Sequence, residues 1–193
     1  GRAPNTDGLG LDQAGVNLDN RGWITVDERL RTSAPHIYAI GDVLGPKHVM
    51  LAHVASFEGE TVVANILGQD RAMDYRVIPS AIFTMPEVGS VGLSEDEAVA
   101  QGLNVRAGSL LVRELGKAQA AGEIAGEFKL IIDAATDKIL GAHVIGPHAT
   151  ELIAELGLAI AQNATLADIR HTIHAHPTLS EGWHELAASL EHK

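Results

Sequence analysis

The spacing of apolar and polar positions changes character near residue 77. Residues 1 to about 76 begin loop-rich, then give a short apolar run, Ile37-Tyr-Ala-Ile40, which predicts a strand, and a stretch from about Met50 to Leu67 that predicts a helix. Gly68 stands where a helix would stop. Beyond Val77, Ile78-Pro-Ser-Ala-Ile-Phe83 reads as an edge strand carrying a proline, and Gly89-Ser-Val-Gly-Leu93 as a second strand. A helix should follow, opened by Ser94 with Glu97 at the capping-box position. Phe128-Lys-Leu-Ile-Ile132 and Ile139-Leu-Gly-Ala-His-Val-Ile145 flank a polar turn, Asp133 to Lys138, and predict a hairpin. Two helices are expected after it, at about Ala149 to Gln162 and Leu166 to Thr172.

Strands joined by hairpins with helices grouped around them predict an α+β domain, a mixed antiparallel sheet with helices, over residues 77–193. Residues 1–76 form the other region, with the seam between Tyr75 and Pro79.

Composition narrows the function classes. The chain has 193 residues, 46% of them apolar and 20% charged, which is ordinary for a folded globular chain. The 14 Lys and Arg against 25 Asp and Glu give a net charge of −11, a surface that repels phosphate backbones and anionic membranes, so nucleic acid is not an expected partner. There is no cysteine, which removes disulfide scaffolds and thiolate metal sites. No signal-peptide core or membrane-length apolar run is present, and a soluble cytoplasmic protein is the expectation. The opening Gly1-Arg-Ala-Pro-Asn5 is loop-like and reads as part of a longer chain.

The candidate chemistry lies in a few short segments. Gly41-Asp42 ends the run Ile37–Ile40, and ligands of open α/β sheets gather at carboxyl ends of strands. Asp42 there is either a turn aspartate or an acceptor for the hydroxyls of a polyol. Met50-Leu-Ala-His53 opens the first helix, whose N-terminal amides and dipole can face an electron-rich ring or a phosphate. Gly8-Leu-Gly10 with Gly15 lacks both the spacing and the preceding strand of a nucleotide loop. His171, His174 and His176 have no carboxylate at a recognised zinc spacing, so no metal site is assigned. The segment His176-Pro-Thr-Leu-Ser-Glu181 offers an imidazole, the natural proton carrier near neutral pH, with a carboxylate five residues on to orient it. Pro177 suits the first positions of a helix, and Thr178 with Glu181 matches a capping box.

His176 to Glu181 resembles the His-Pro-Thr-x-Ser-Glu motif of the dihydrolipoamide dehydrogenases, flavin disulfide oxidoreductases. The resemblance extends over essentially the whole chain, through Gly1-Arg-Ala-Pro-Asn5, Gly41-Asp42, Met50-Leu-Ala-His-Val-Ala55, Ile78-Pro79, Thr84 to Gly92 and Gly141 to Pro147. It implies an interface (dimerisation) domain preceded by an incomplete α/β flavin-contacting segment. It further implies that Asp42 binds the ribityl chain of FAD, and that Met50, Leu51, Ala52 and His53 lie at the flavin ring. His176 and Glu181 would be the acid–base pair serving the redox cysteines of the facing subunit. The parent enzyme so implied is a homodimer that uses FAD and NAD to oxidise dihydrolipoamide carried on the lipoyl domains of 2-oxoacid dehydrogenase complexes. The 193 residues alone, without the cysteine pair and phosphate loops, are expected to retain no cofactor and to lack turnover.

One stretch departs from the pattern, Glu114-Leu-Gly-Lys117, where the family often has Asn-Gly-Arg. Two alternatives accompany the leading reading, a glutathione- or mercuric-reductase-like enzyme and a module that only dimerises. Mercuric reductases carry a cysteine pair near the C-terminus, which this chain lacks. A hydrolase using His176 has no nucleophile in a recognisable elbow.

Overall fold

The computed structural model describes residues 1–191 and divides them into two compact units, Gly1–Tyr75 and the residues from Arg76 onward. The first unit is built mostly from turns. Aspartates hold several of them: the Asp19 carboxylate accepts from the amides of Arg21 and Trp23, and Asp27 from those of Arg29 and Arg31. Val16, Ile24, Leu30, Ala34, Ala39 and Leu44 are buried together beneath them. The strand expected at Ile37–Ile40 is not formed. Tyr38 makes one isolated bridge to Arg31, because an apolar run becomes a strand only where a neighbour supplies a ladder. A short 3-10 turn, Gly41–Leu44, follows, then helix α1, Ala52–Ile66. Gly68 (φ +86°) lies just past its end.

The second unit is a five-stranded antiparallel sheet, β1 (Ser80–Ile82), β2 (Glu87–Gly92), β3 (Val105–Leu111), β4 (Glu127–Asp133) and β5 (Ile139–Gly146), in the order β1-β2-β5-β4-β3. The proline-bearing segment does supply an edge strand. The β4–β5 hairpin closes over Asp133, whose carboxylate accepts from the amides of Ala135 and Thr136. Strand β3 was not foreseen. Its Gly108 is there for space, since a Cβ at that position would sit 2.6 Å from Leu190 Cδ2.

Helix α2 (Glu95–Ala100) has the full capping box, with Ser94 Oγ accepting from the Glu97 amide and Glu97 accepting from the Ser94 amide. Four further helices follow: α3 (Gly116–Ala121), α4 (Ala149–Ala161), α5 (Leu166–His171) and α6 (Glu181–Glu191). Helix α4 lies against β2 and β5, and α6 against β3 and β4.

The core between sheet and helices fixes the site. Phe128 and Trp183 are fully buried and meet edge to face, ring centroids 4.8 Å apart. Trp183 Nε1 donates to the Leu152 carbonyl of α4 at 3.1 Å, so one indole ties the start of α6 to sheet and helix together. Gly182 lets α6 approach this closely, as a Cβ there would stand 2.8 Å from the Phe128 ring.

Candidate functional site

Helix α6 begins at Glu181, two residues later than a capping box on Thr178 requires. Only half of that box exists. The Glu181 carboxylate accepts from the Thr178 amide at 2.8 Å, while Thr178 Oγ1 donates to the Ala175 carbonyl at 2.6 Å. Pro177 accordingly lies outside the helix.

What the segment builds is a pair. His176 Nδ1 stands 2.8 Å from Glu181 Oε1, and the ring is 79% exposed. The Thr178 amide, and after it the His176 ring, hold the Glu181 carboxyl below the usual carboxylate range. An ionised carboxylate only accepts, so Nδ1 carries the hydrogen in this pair, and in the neutral ring Nε2 is the acceptor nitrogen. An imidazole so held can exchange a proton at its other nitrogen.

In the first unit the expected cofactor residues lie along one short stretch. Asp42 is exposed, pairs with Arg2, and lines a cavity of about 410 Å³ with Arg2, Pro4, Asn5, Trp23 and Val43. Trp23 Nε1 is buried, with no hydrogen-bond partner among the described residues. Gly41 turns with φ +73°, and a Cβ on it would meet the Ala55 methyl at 3.3 Å. Met50 and Leu51 are half-buried ahead of α1, with no side-chain cap on Leu51, and Ala52 and His53 are exposed in its first turn. The amides of that turn have no carbonyl one turn earlier in the helix to bond. An acceptor carboxylate, a tight glycine turn, a buried indole N–H and a helix N-terminus are compatible with the polyol and ring edge of a flavin.

Two groups escaped the sequence reading. Glu58 is buried, 1% exposed, and accepts from the Gly41 amide at 2.6 Å and from the Tyr75 hydroxyl at 2.7 Å. Burial, and then Glu58 itself, push the Tyr75 hydroxyl's pKa up, and His48 Nδ1 reaches Tyr75 Oη at 3.2 Å. The signal was there: Val54, Glu58 and Thr61 share the buried face of α1 at helical spacing. The second group is the His174–Glu155 pair, Nε2 to Oε1 2.8 Å. Among the described residues no three His, Cys, Asp or Glu come together as a metal site, and no helix is long and apolar enough to cross a membrane.

Comparison with known proteins gives the chain its family. Residues 78–187 match the family described as pyridine nucleotide-disulphide oxidoreductase, dimerisation domain, and residues 1–59 match pyridine nucleotide-disulphide oxidoreductase. Dihydrolipoyl dehydrogenase of Chlamydia muridarum is 50% identical over 97% of this chain and 40% of its own length. That of Thermus scotoductus is 48% identical over 98% of the chain and 41% of its own length. The chain thus spans about two fifths of the length of these relatives. Among solved structures, LpdA from Mycobacterium tuberculosis superposes with a TM-score of 0.91 at 31% identity, covering 97% of this chain and 41% of that one. The HOCl-induced flavoprotein disulfide reductase RclA from Escherichia coli gives 0.87 at 26%, covering 97% and 43%. With one match spanning more than half of its residues and a second at its start, the chain belongs to the pyridine nucleotide-disulphide oxidoreductases and carries their dimerisation domain.

Proposed function

We propose that the chain is the interface part of a dihydrolipoamide dehydrogenase, with His176 as its acid–base residue and Glu181 as the orienter of that histidine. The observation that carries this is the exposed His176 ring, held at Nδ1 by a carboxylate 2.8 Å away. The half-identical relatives named dihydrolipoyl dehydrogenase support the choice of branch.

On this reading the parent is a homodimer associated through residues 77–193, with α4 as a contact helix. In an isologous pair each His176 serves its neighbour's site. His176 Nε2 takes the proton of a dihydrolipoamide thiol, so that the thiolate can attack a cysteine disulfide on the facing subunit. The chain itself holds no cysteine, so that disulfide lies outside these 193 residues. Glu181 stabilises the imidazolium so formed and keeps its ring in place.

Residues 1–76 are the flavin-contacting region. Asp42 accepts from the ribityl hydroxyls, while Met50, Leu51, Ala52 and His53 border the ring. FAD, when bound, relays the electron pair from the dithiol to NAD. Lipoyl domains of 2-oxoacid dehydrogenase complexes are the partners on this reading, and the cytoplasm is its compartment.

The test is lipoamide-dependent NAD reduction by the full-length dimer. His176→Gln should lower kcat by about 10² to 10⁴-fold, the usual worth of a general base. Turnover within twofold of the parent would overturn the assignment.

A further inference from the structure

The loop that carries His176 is held in an unusual way. Among the described residues, positions 173–178 take part in no backbone–backbone hydrogen bond. A segment without a ladder takes its place from whatever its side chains reach. Thr178 closes one end locally, on the Ala175 carbonyl and on Glu181. The other end is anchored by His174, whose side chain is 7% exposed. Its Nδ1 lies 3.0 Å from the Thr172 carbonyl and its Nε2 2.8 Å from Glu155 Oε1, on the neighbouring helix α4.

The partners of His174 have a chemical consequence. A carbonyl can only accept, so Nδ1 donates to Thr172, and Nε2 is left to meet the Glu155 carboxyl. Both nitrogens of the His174 ring are thus engaged. The groups around it are Glu155 from α4, the Thr172 carbonyl at the end of α5, and His184 and Glu181 from α6. The His184 ring lies 5.9 Å from that of His174, its Nδ1 buried and unpartnered. Charge on His174 adds to the forces that keep Glu181 ionised.

We propose that Glu155 and His174 are positioning residues, which pin the loop to α4 so that His176 meets Glu181 through Nδ1. Its importance for turnover rests on the reading of His176 as the base, whereas the positioning itself can be tested without that reading.

The experiment is ring-nitrogen NMR of the ¹⁵N-histidine-labelled chain. The wild type should show His176 as the Nδ1–H tautomer, and Glu181→Gln should abolish that signature. Glu155→Gln and His174→Asn should both shift His176 toward the Nε2–H form that solvated histidine prefers, with sheet amide signals unchanged. A His176 signature unaltered in the folded variants overturns the proposal, as does a wild-type ring already in the Nε2–H form. Should His174→Asn not fold, Glu155→Gln decides alone, since that side chain is 32% exposed and its loss leaves the core intact. The base assignment fails separately, through undiminished turnover of His176→Gln in the full-length dimer, and that result would leave the NMR outcome standing.

Discussion

The two units reach their order by different means. From Arg76 onward, five strands pair antiparallel, with one register shift between Ile131 and Ile132, and their apolar faces meet α4 and α6, so buried area and backbone bonding reinforce each other. In Gly1–Tyr75 order comes from aspartate turns, two isolated bridges and the buried carboxylate of Glu58, while Phe57, Val63 and Ile66 of α1, and Leu67 just after it, stay exposed. A site built on the sheet unit inherits rigid supports. A site built on the turn unit depends on a few polar contacts, each of which must be made.

That contrast can be broken most forcefully at Trp183. Replacing it with Ala removes the edge-to-face partner of Phe128 and the bond to Leu152, and should cost about 3–5 kcal/mol in denaturant unfolding. Amide exchange should then quicken throughout the sheet and leave the first unit's turns as they were. In the turn unit the corresponding change is Glu58→Ala, which leaves the Gly41 amide unpaired and the Tyr75 hydroxyl with His48 as its remaining contact. The expected loss is about 1–3 kcal/mol, seen as faster exchange at Gly41 and Ala39 with the sheet unaffected. Gly182→Ala should cost about 1–3 kcal/mol through the clash with Phe128, and should disturb the His176 signals along with stability. Ser94→Ala should cost about 1 kcal/mol, confined to α2.

Acid offers the gentlest comparison. Glu87, Glu97, Asp133, Asp168 and Glu181 in the second unit are held below their ordinary pKa by amide and hydroxyl donors, against Asp19 and Asp70 in the first. A carboxyl with a lowered folded pKa adds stability that is complete above its unfolded pKa and disappears as pH falls through the folded one. Titration from about pH 4.5 downward should therefore weaken the second unit more than the first, followed by residue-resolved amide exchange. Equal loss in both units would show that these donors matter little.

Much of the sheet unit was legible because its signals were local and agreed with one another. The β4–β5 hairpin had two apolar runs around an Asp turn, Ser94 and Glu97 stood at box spacing, and His176 and Glu181 were five residues apart and do meet. The failures occur where distant residues decide. Ile37–Ile40 has the side chains of a strand, but only a single bridge forms there. Strand β3 contains a glycine that weakens its pattern, and the reason for that glycine, Leu190, lies 82 residues away. Glu58 was hidden by its charge, although its spacing placed it on the buried face of α1. Glu155 and His174 meet across 19 residues, and no motif of either segment announces the contact.

The loop at 173–178 also bears on how this molecule can change over generations. A strand is guarded by its ladder, so most side-chain replacements leave the backbone where it was. A segment placed by side chains has no such insurance, and its tolerance is shared among positions scattered through the chain. In a saturation mutagenesis screen, 155, 174, 178 and 181 should emerge as one epistatic set, in which a loss at any position makes the others newly dispensable.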